Sequence, residues 1–136
     1  MSEKLAELGI HVYMKQPFDV VLERTKTALK AEGFGVLTEI DVKATLKQKL
    51  GVDFRRYNIL GACNPPLAHR ALSADLDVGL LLPCNVVVYE TTENDCVVGL
   101  VDPTGMASLF AGSVFTEVAQ DARQRFERVA AALRVL

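Results

Sequence analysis

The sequence predicts an α+β fold, with a largely antiparallel sheet, helices packed on one face and a long C-terminal helix. Three observations carry this. Short strand-like and helix-like segments alternate through the first half of the chain. The later strands meet across the turn Glu93-Asn94-Asp95 as a hairpin, without a crossover helix between them. Residues 113–134 carry an unbroken apolar stripe at helical spacing.

Ile10 to Lys15 reads as the first strand, with Val12 and Tyr13 favouring extended backbone. Pro17 opens a helix to Glu32, in which Val21, Leu22, Thr25, Ala28 and Leu29 share one face. Gly33 is placed to end it in the left-handed conformation. Phe34 to Ile40 is a strand. Asp41 caps the next helix, because its carboxylate accepts from free first-turn amides, and Val42, Leu46 and Leu50 form its stripe up to Gly51. Phe54 to Ala62 is a strand, followed by Asn64 as N-cap and Pro65 at the first helical position, where a missing N–H costs nothing. Leu67, Ala71 and Leu72 form the inner face of this short helix.

Val78 to Leu82 and Asn85 to Thr91 read as two strands, and Pro83-Cys84 between them implies a bulge or an edge position. Cys96 to Asp102 completes the hairpin. The stretch from Asp102-Pro103 to Gly112 reads as an irregular loop or a short helical turn. Ser113 then caps the last helix, whose stripe runs through Phe115, Val118, Ala119, Ala122, Phe126, Val129, Ala130 and Leu133.

At 136 residues the chain reads as a single domain that buries a core without disulfides or metals. A net charge of -2 excludes the broad basic face that non-specific nucleic-acid binding needs. The longest apolar runs are too short to span a bilayer. Residues Met1 to Leu8 are amphipathic and charged, without the apolar core of a secretory signal. Three cysteines are an odd count for a paired extracellular framework, so the expected location is the cytoplasm with reduced thiols. Mean hydropathy is +0.21, high for a small domain, and implies apolar surface shared between subunits.

The chemistry-bearing candidates are few. Cys63 precedes a helix N-cap, where first-turn amides stabilise a thiolate; its plain alternative is a small buried hydrophobe. Cys84 follows Pro83 in an apolar setting that reads as core. Asp102 is a candidate base or ligand anchor, although Asp-Pro-x-Gly is ordinary turn chemistry. His69 lies six positions past Cys63, nearly two helical turns along, and is a poor partner for it. No paired histidines or Cys-x-x-Cys spacing point to a metal, and no motif names a cofactor. Lys43, Lys47, Lys49, Arg55 and Arg56 form a basic stretch that reads as a solvated face balanced by Glu39, Asp41 and Asp53.

Four segments carry a likeness beyond composition: Gly33-Phe-Gly-Val-Leu-Thr-Glu-Ile-Asp41, Lys49-Leu-Gly-Val-Asp-Phe54, Gly61-Ala-Cys-Asn-Pro65 and Leu80-Leu-Leu-Pro-Cys-Asn-Val86. In wording and order they resemble the uncharacterised domain-of-unknown-function 302 family over about residues 17 to 134. The resemblance implies a compact α+β domain with a TBP-like sheet-and-helix arrangement, a homodimer, and no established activity. It places weight on Cys63, Asn64, Pro65, Ala68, Leu72, Pro83 and Cys84, and none on His69. From these positions we expect a small-ligand- or partner-binding module. Its hollow would be shaped by Cys63, Asn64 and Cys84, with Asp102 as a further ligand contact. The alternative is a thiol-dependent redox sensor or enzyme using Cys63 with Cys84.

Overall fold

The computed structural model describes residues 8–135; the amphipathic opening, residues 1–7, lies outside them. The strands are β1 (Gly9–Met14), β2 (Gly35–Asp41), β3 (Tyr57–Cys63), β4 (Cys84–Thr92) and β5 (Asp95–Val101). The helices are α1 (Phe18–Ala31), α2 (Val42–Leu50), α3 (Pro65–Ala74), α4 (Thr104–Ala107) and α5 (Ser113–Arg134), with a 3₁₀ segment at Leu76–Leu81. The strands form one antiparallel sheet in the order β1-β5-β4-β3-β2.

Alternation along the strands decides which side is covered. Val12 and Met14 of β1, Leu60 and Ala62 of β3, Val86 and Val88 of β4, and Cys96, Val98 and Leu100 of β5 are buried toward α1 and α5. The stripe predicted for α5 is the one the helix buries: Phe126, Val129, Ala130 and Leu133 pack there beside Val21, Leu22 and Leu29 of α1. Thr25, fully buried on α1, donates its hydroxyl to the Val21 carbonyl at 2.7 Å and so leaves no orphaned polar atom.

Among the described residues, the opposite face carries no helix layer. One row across it pairs Tyr57 with Tyr89, Tyr89 with Val97 and Val97 with Tyr13. The next runs Ile40, Ile59, Val87, Gly99, His11. The third holds Thr38, Gly61 and Asn85, with Gly9 opposite Val101. Both edges of the sheet are obstructed. At β2, a bulge between Val36 and Thr38 breaks the ladder, and Glu39 points inward to Lys26 at 2.8 Å and accepts from the Asn58 amide at 2.6 Å. At β1, Arg134 donates to the His11 carbonyl at 3.1 Å.

Five elements depart from expectation. Val78 to Leu82 is no strand: the segment coils as 3₁₀, with the Asp75 carboxylate accepting from the Asp77 amide at 2.9 Å and Gly79 in its middle. A short apolar run is compatible with either conformation, and here Leu76 and Leu80 face solvent at 85% exposure each. Pro83 therefore sits just outside β4, which is an inner strand, rather than at a bulge or edge within it. The strand expected from Phe54 begins at Tyr57, because residues 51–56 form a connection whose Phe54 carbonyl accepts from Lys43 Nζ at 2.8 Å. The stripe of α2 is not core: Val42 and Leu46 are half-buried and Leu50 is exposed, since this helix sits beyond the sheet's end beside β2 and β3. The last helix is entered by Gly112 at φ 100, and Ser113 is its first residue without capping it.

Candidate functional site

Asn64 and Pro65 start α3 as the sequence predicts. The Asn64 side-chain oxygen accepts from the Leu67 amide at 3.3 Å, and the proline takes a position whose N–H would otherwise be free. Asn64 is buried, and its side-chain amide lies against Gly33, which ends α1 at φ 84. A methyl group at Gly33 would meet that amide nitrogen at 2.9 Å, so a glycine there serves both the helix end and the α3 cap. The start of α3 is thereby fixed against the end of α1.

Beside this start lies a hollow of about 350 Å³. It opens in the seam between the main core and a smaller cluster built on Ala71, Val78 and Phe115. Phe34, Ala62 and Cys84 contribute its sheet side, Leu67, Ala68 and Ala71 its α3 side, and Val118, Ala119 and Ala122 its α5 side. Met106, Ala107 and Phe110 close the far wall, with Phe110 stacked on Phe115 at 4.8 Å. Among the described residues, no charged side chain lines the hollow, and Asn64 is the one amide-bearing residue in its wall.

Cys63, Asn64 and Cys84, distant along the chain, all line this hollow. The pairing of β3 with β4 brings the cysteines together: Cys84 stands opposite Ala62, next to Cys63. Both are free thiols. Burial, with the neighbouring Cys63 thiol adding to it, pushes Cys84 from the usual 9.0 to about 11, so it is a neutral thiol at pH 7. The third thiol, Cys96, is buried under the sheet and donates to the Gln16 carbonyl at 3.4 Å; burial first, then Glu90 and Asp95, raise it to about 11.

Asp102 does not join them. Its carboxylate accepts from the Thr104 amide at 3.0 Å and the Thr104 hydroxyl at 2.6 Å, and pairs with Arg123 at 3.3 Å. That is the turn chemistry its sequence context suggested, and it positions Pro103 and α4, which do reach the hollow. His69 is exposed on α3 and lines no part of it. In the basic stretch, Lys47 pairs with Asp53 at 3.3 Å, whereas Glu39 is engaged by Lys26.

Sequence reasoning missed the 103–110 wall and Leu37, which lines the rim from the β2 bulge. A signal was present. A loop containing Met106, Ala107, Leu109 and Phe110 is too apolar to lie in solvent along its whole length.

Among the described residues, no group of three or more His, Cys, Asp or Glu is placed to hold a metal. No helix among them is long and apolar enough to cross a membrane.

Three of the four segments that carried the family resemblance contribute to the hollow, and comparison with known proteins gives the same grouping. No curated protein matches the chain. The solved structure of an uncharacterized conserved protein, DUF302, from Bacillus stearothermophilus is similar to it at 33% identity and a TM-score of 0.83, covering 93% of this chain and 98% of that one. The family described as "Domain of unknown function DUF302" matches residues 10–133, from within β1 rather than from residue 17 onward. An α+β chain matched over nearly its whole length by that description, with a solved relative of the same fold, belongs to the DUF302 family, whose function is unknown.

Proposed function

We propose that this chain is a homodimeric binding module that holds a compact, uncharged, largely apolar small molecule in the hollow at the amino end of α3. The observation that carries this reading is a cavity of about 350 Å³ whose lining, among the described residues, holds no charged side chain. That volume falls at the lower end of the ~300–1,000 Å³ typical of small-molecule sites. Water in such a space finds few hydrogen-bond partners, so an apolar guest gains by displacing it, while a charged guest would lose its hydration without compensation. Asn64 supplies the one amide near the wall for a polar end of the guest. The three free thiols fit a reducing compartment, and the cytoplasm is the location this reading assigns.

The thiol-dependent alternative, a redox sensor or enzyme using Cys63 with Cys84, draws on the same juxtaposition. Against it stands Cys84, which burial keeps in the unreactive thiol form at neutral pH.

Titration with the neutral dye Nile red tests the proposal. The native chain is expected to bind it with a rise in fluorescence. Ala68→Phe, which extends a ring from α3 into the hollow, is expected to weaken binding at least tenfold while the protein stays folded by circular dichroism. Equal affinity in the two proteins refutes the assignment.

A further inference from the structure

An antiparallel sheet with one covered face ordinarily shows alternating polar residues on the other. This one does not. Across the three rows of the uncovered face, no position is occupied by Asp, Glu, Lys or Arg. Tyr57 and Tyr89 stack at 5.3 Å, Tyr13 stands out at 79% exposure, and Ile40 is 49% exposed. Absence of charge together with enrichment in tyrosine is the composition of an interface core.

We infer that this face packs, about a two-fold axis, on the same face of a second copy of the chain. The inference gives a surface to the homodimer of the preceding reading and is independent of the hollow.

Three features favour a second copy as the occupant. First, the face is tall at one end and low at the other. Tyr13, Tyr57 and Tyr89 stand at one; at the opposite are Gly9 and the shorter Thr38 and Asn85, with Thr38 and Pro83 packed over Gly61. A two-fold running along the rows lays the tall end of each copy over the low end of its mate, which is the self-complementarity an isologous contact requires. Second, the size is adequate. Five strands ~4.8 Å apart and about six residues long give a footprint of roughly 480 Å². Side-chain relief, and the exposed Phe54 beside Tyr57, extend this toward the ~600–800 Å² per partner of stable complexes. Third, association through the edges is obstructed, by the bulge and inward Glu39 at β2 and by Arg134 at β1. Of the sheet's own surfaces, the face is the route that remains.

The test is sedimentation velocity over a micromolar concentration series. The native chain is expected to sediment as a dimer of the 14.9 kDa protomer. Tyr13→Glu combined with Ile40→Lys places unpaired charges in the contact from both copies. It is expected to raise the dissociation constant at least 100-fold with an unchanged circular dichroism spectrum. If that double variant unfolds, Tyr13→Glu alone, at the more exposed position, is expected to raise it at least tenfold. Leu80→Glu, at an exposed leucine beside the hollow, is expected to leave the dimer intact. A native chain that is monomeric at high micromolar concentration overturns both the dimer and its surface. A dimer that survives the sheet-face charges, or one that Leu80→Glu dissociates, overturns the surface alone. Nile red affinity of the monomeric variant, expected to match that of the native chain, keeps the ligand reading separate from either result.

Discussion

Replacing Phe126 with alanine lowers the unfolding free energy by about 3–5 kcal/mol. Phe126 has no exposed surface and stacks on Phe34 with ring centroids 4.5 Å apart and planes 17° from parallel. It sits where α5, α1 and the covered face of the sheet meet, so its removal opens a cavity that no single element can move in to fill. Against a typical total of about 5–15 kcal/mol for a domain, this is a third of the stability or more. Urea denaturation measures it directly, and Phe126→Leu, which keeps most of the volume, is expected to cost about 1–1.5 kcal/mol. A loss below 1 kcal/mol for the alanine variant would contradict the placement of this ring. Phe34, the stacking partner, is also a wall of the hollow, so the alanine variant is expected to bind Nile red more weakly as well.

Stability falls as pH rises from 9 to 11. Cys84 and Cys96 are both raised from 9.0 to about 11 in the folded chain. Below pH 9 both thiols are protonated in the folded and unfolded states alike, and their contribution is fully present. Between 9 and 11 the unfolded chain releases these protons while the folded chain keeps them, so the unfolding free energy declines with pH and levels off above 11. For Cys84 this corresponds to roughly 2–3 kcal/mol, and Cys96 adds to it in the same direction. Tyr57, raised by burial and by its neighbour Tyr89, acts in the same direction above its usual 10.0. The thiol part is isolated by difference: Cys84→Ala and Cys96→Ala combined are expected to flatten the decline between pH 9 and 11 relative to the native chain. An identical decline in that double variant would contradict the burial of both sulfurs.

Where local chemistry decided the outcome, the sequence was readable. Asn64-Pro65 and Asp41 announce helix starts through their side-chain acceptors, and the α5 stripe is long enough that only one face can be buried. The apolar run at 78–82 was not readable. Five residues carry too little period to separate strand from coil, and the decisive contact, the Asp75 carboxylate on the Asp77 amide, lies outside the run. The later start of β3 goes with Lys43 reaching the Phe54 carbonyl, a contact between segments that no local pattern reveals.

The site divided along the same line. Cys63, Asn64 and Cys84 were singled out because each stands at an element boundary and in a family segment, and strand pairing then sets the two sulfur residues side by side. The 103–110 wall comes from a segment whose short helix turn depends on Asp102 gripping Thr104 and Arg123, so its apolar residues looked like loop. Asp102 shapes the site without lining it.

The central claim is that the seam between α3, α5 and the sheet is where a small apolar molecule sits. Amide chemical-shift mapping during titration with Nile red tests it most directly. The account predicts perturbations concentrated at residues 63–72, 81–84 and 106–110. Perturbations centred instead on Tyr57, Val87 and Tyr89 of the uncovered sheet face, or none at saturating dye, would contradict it.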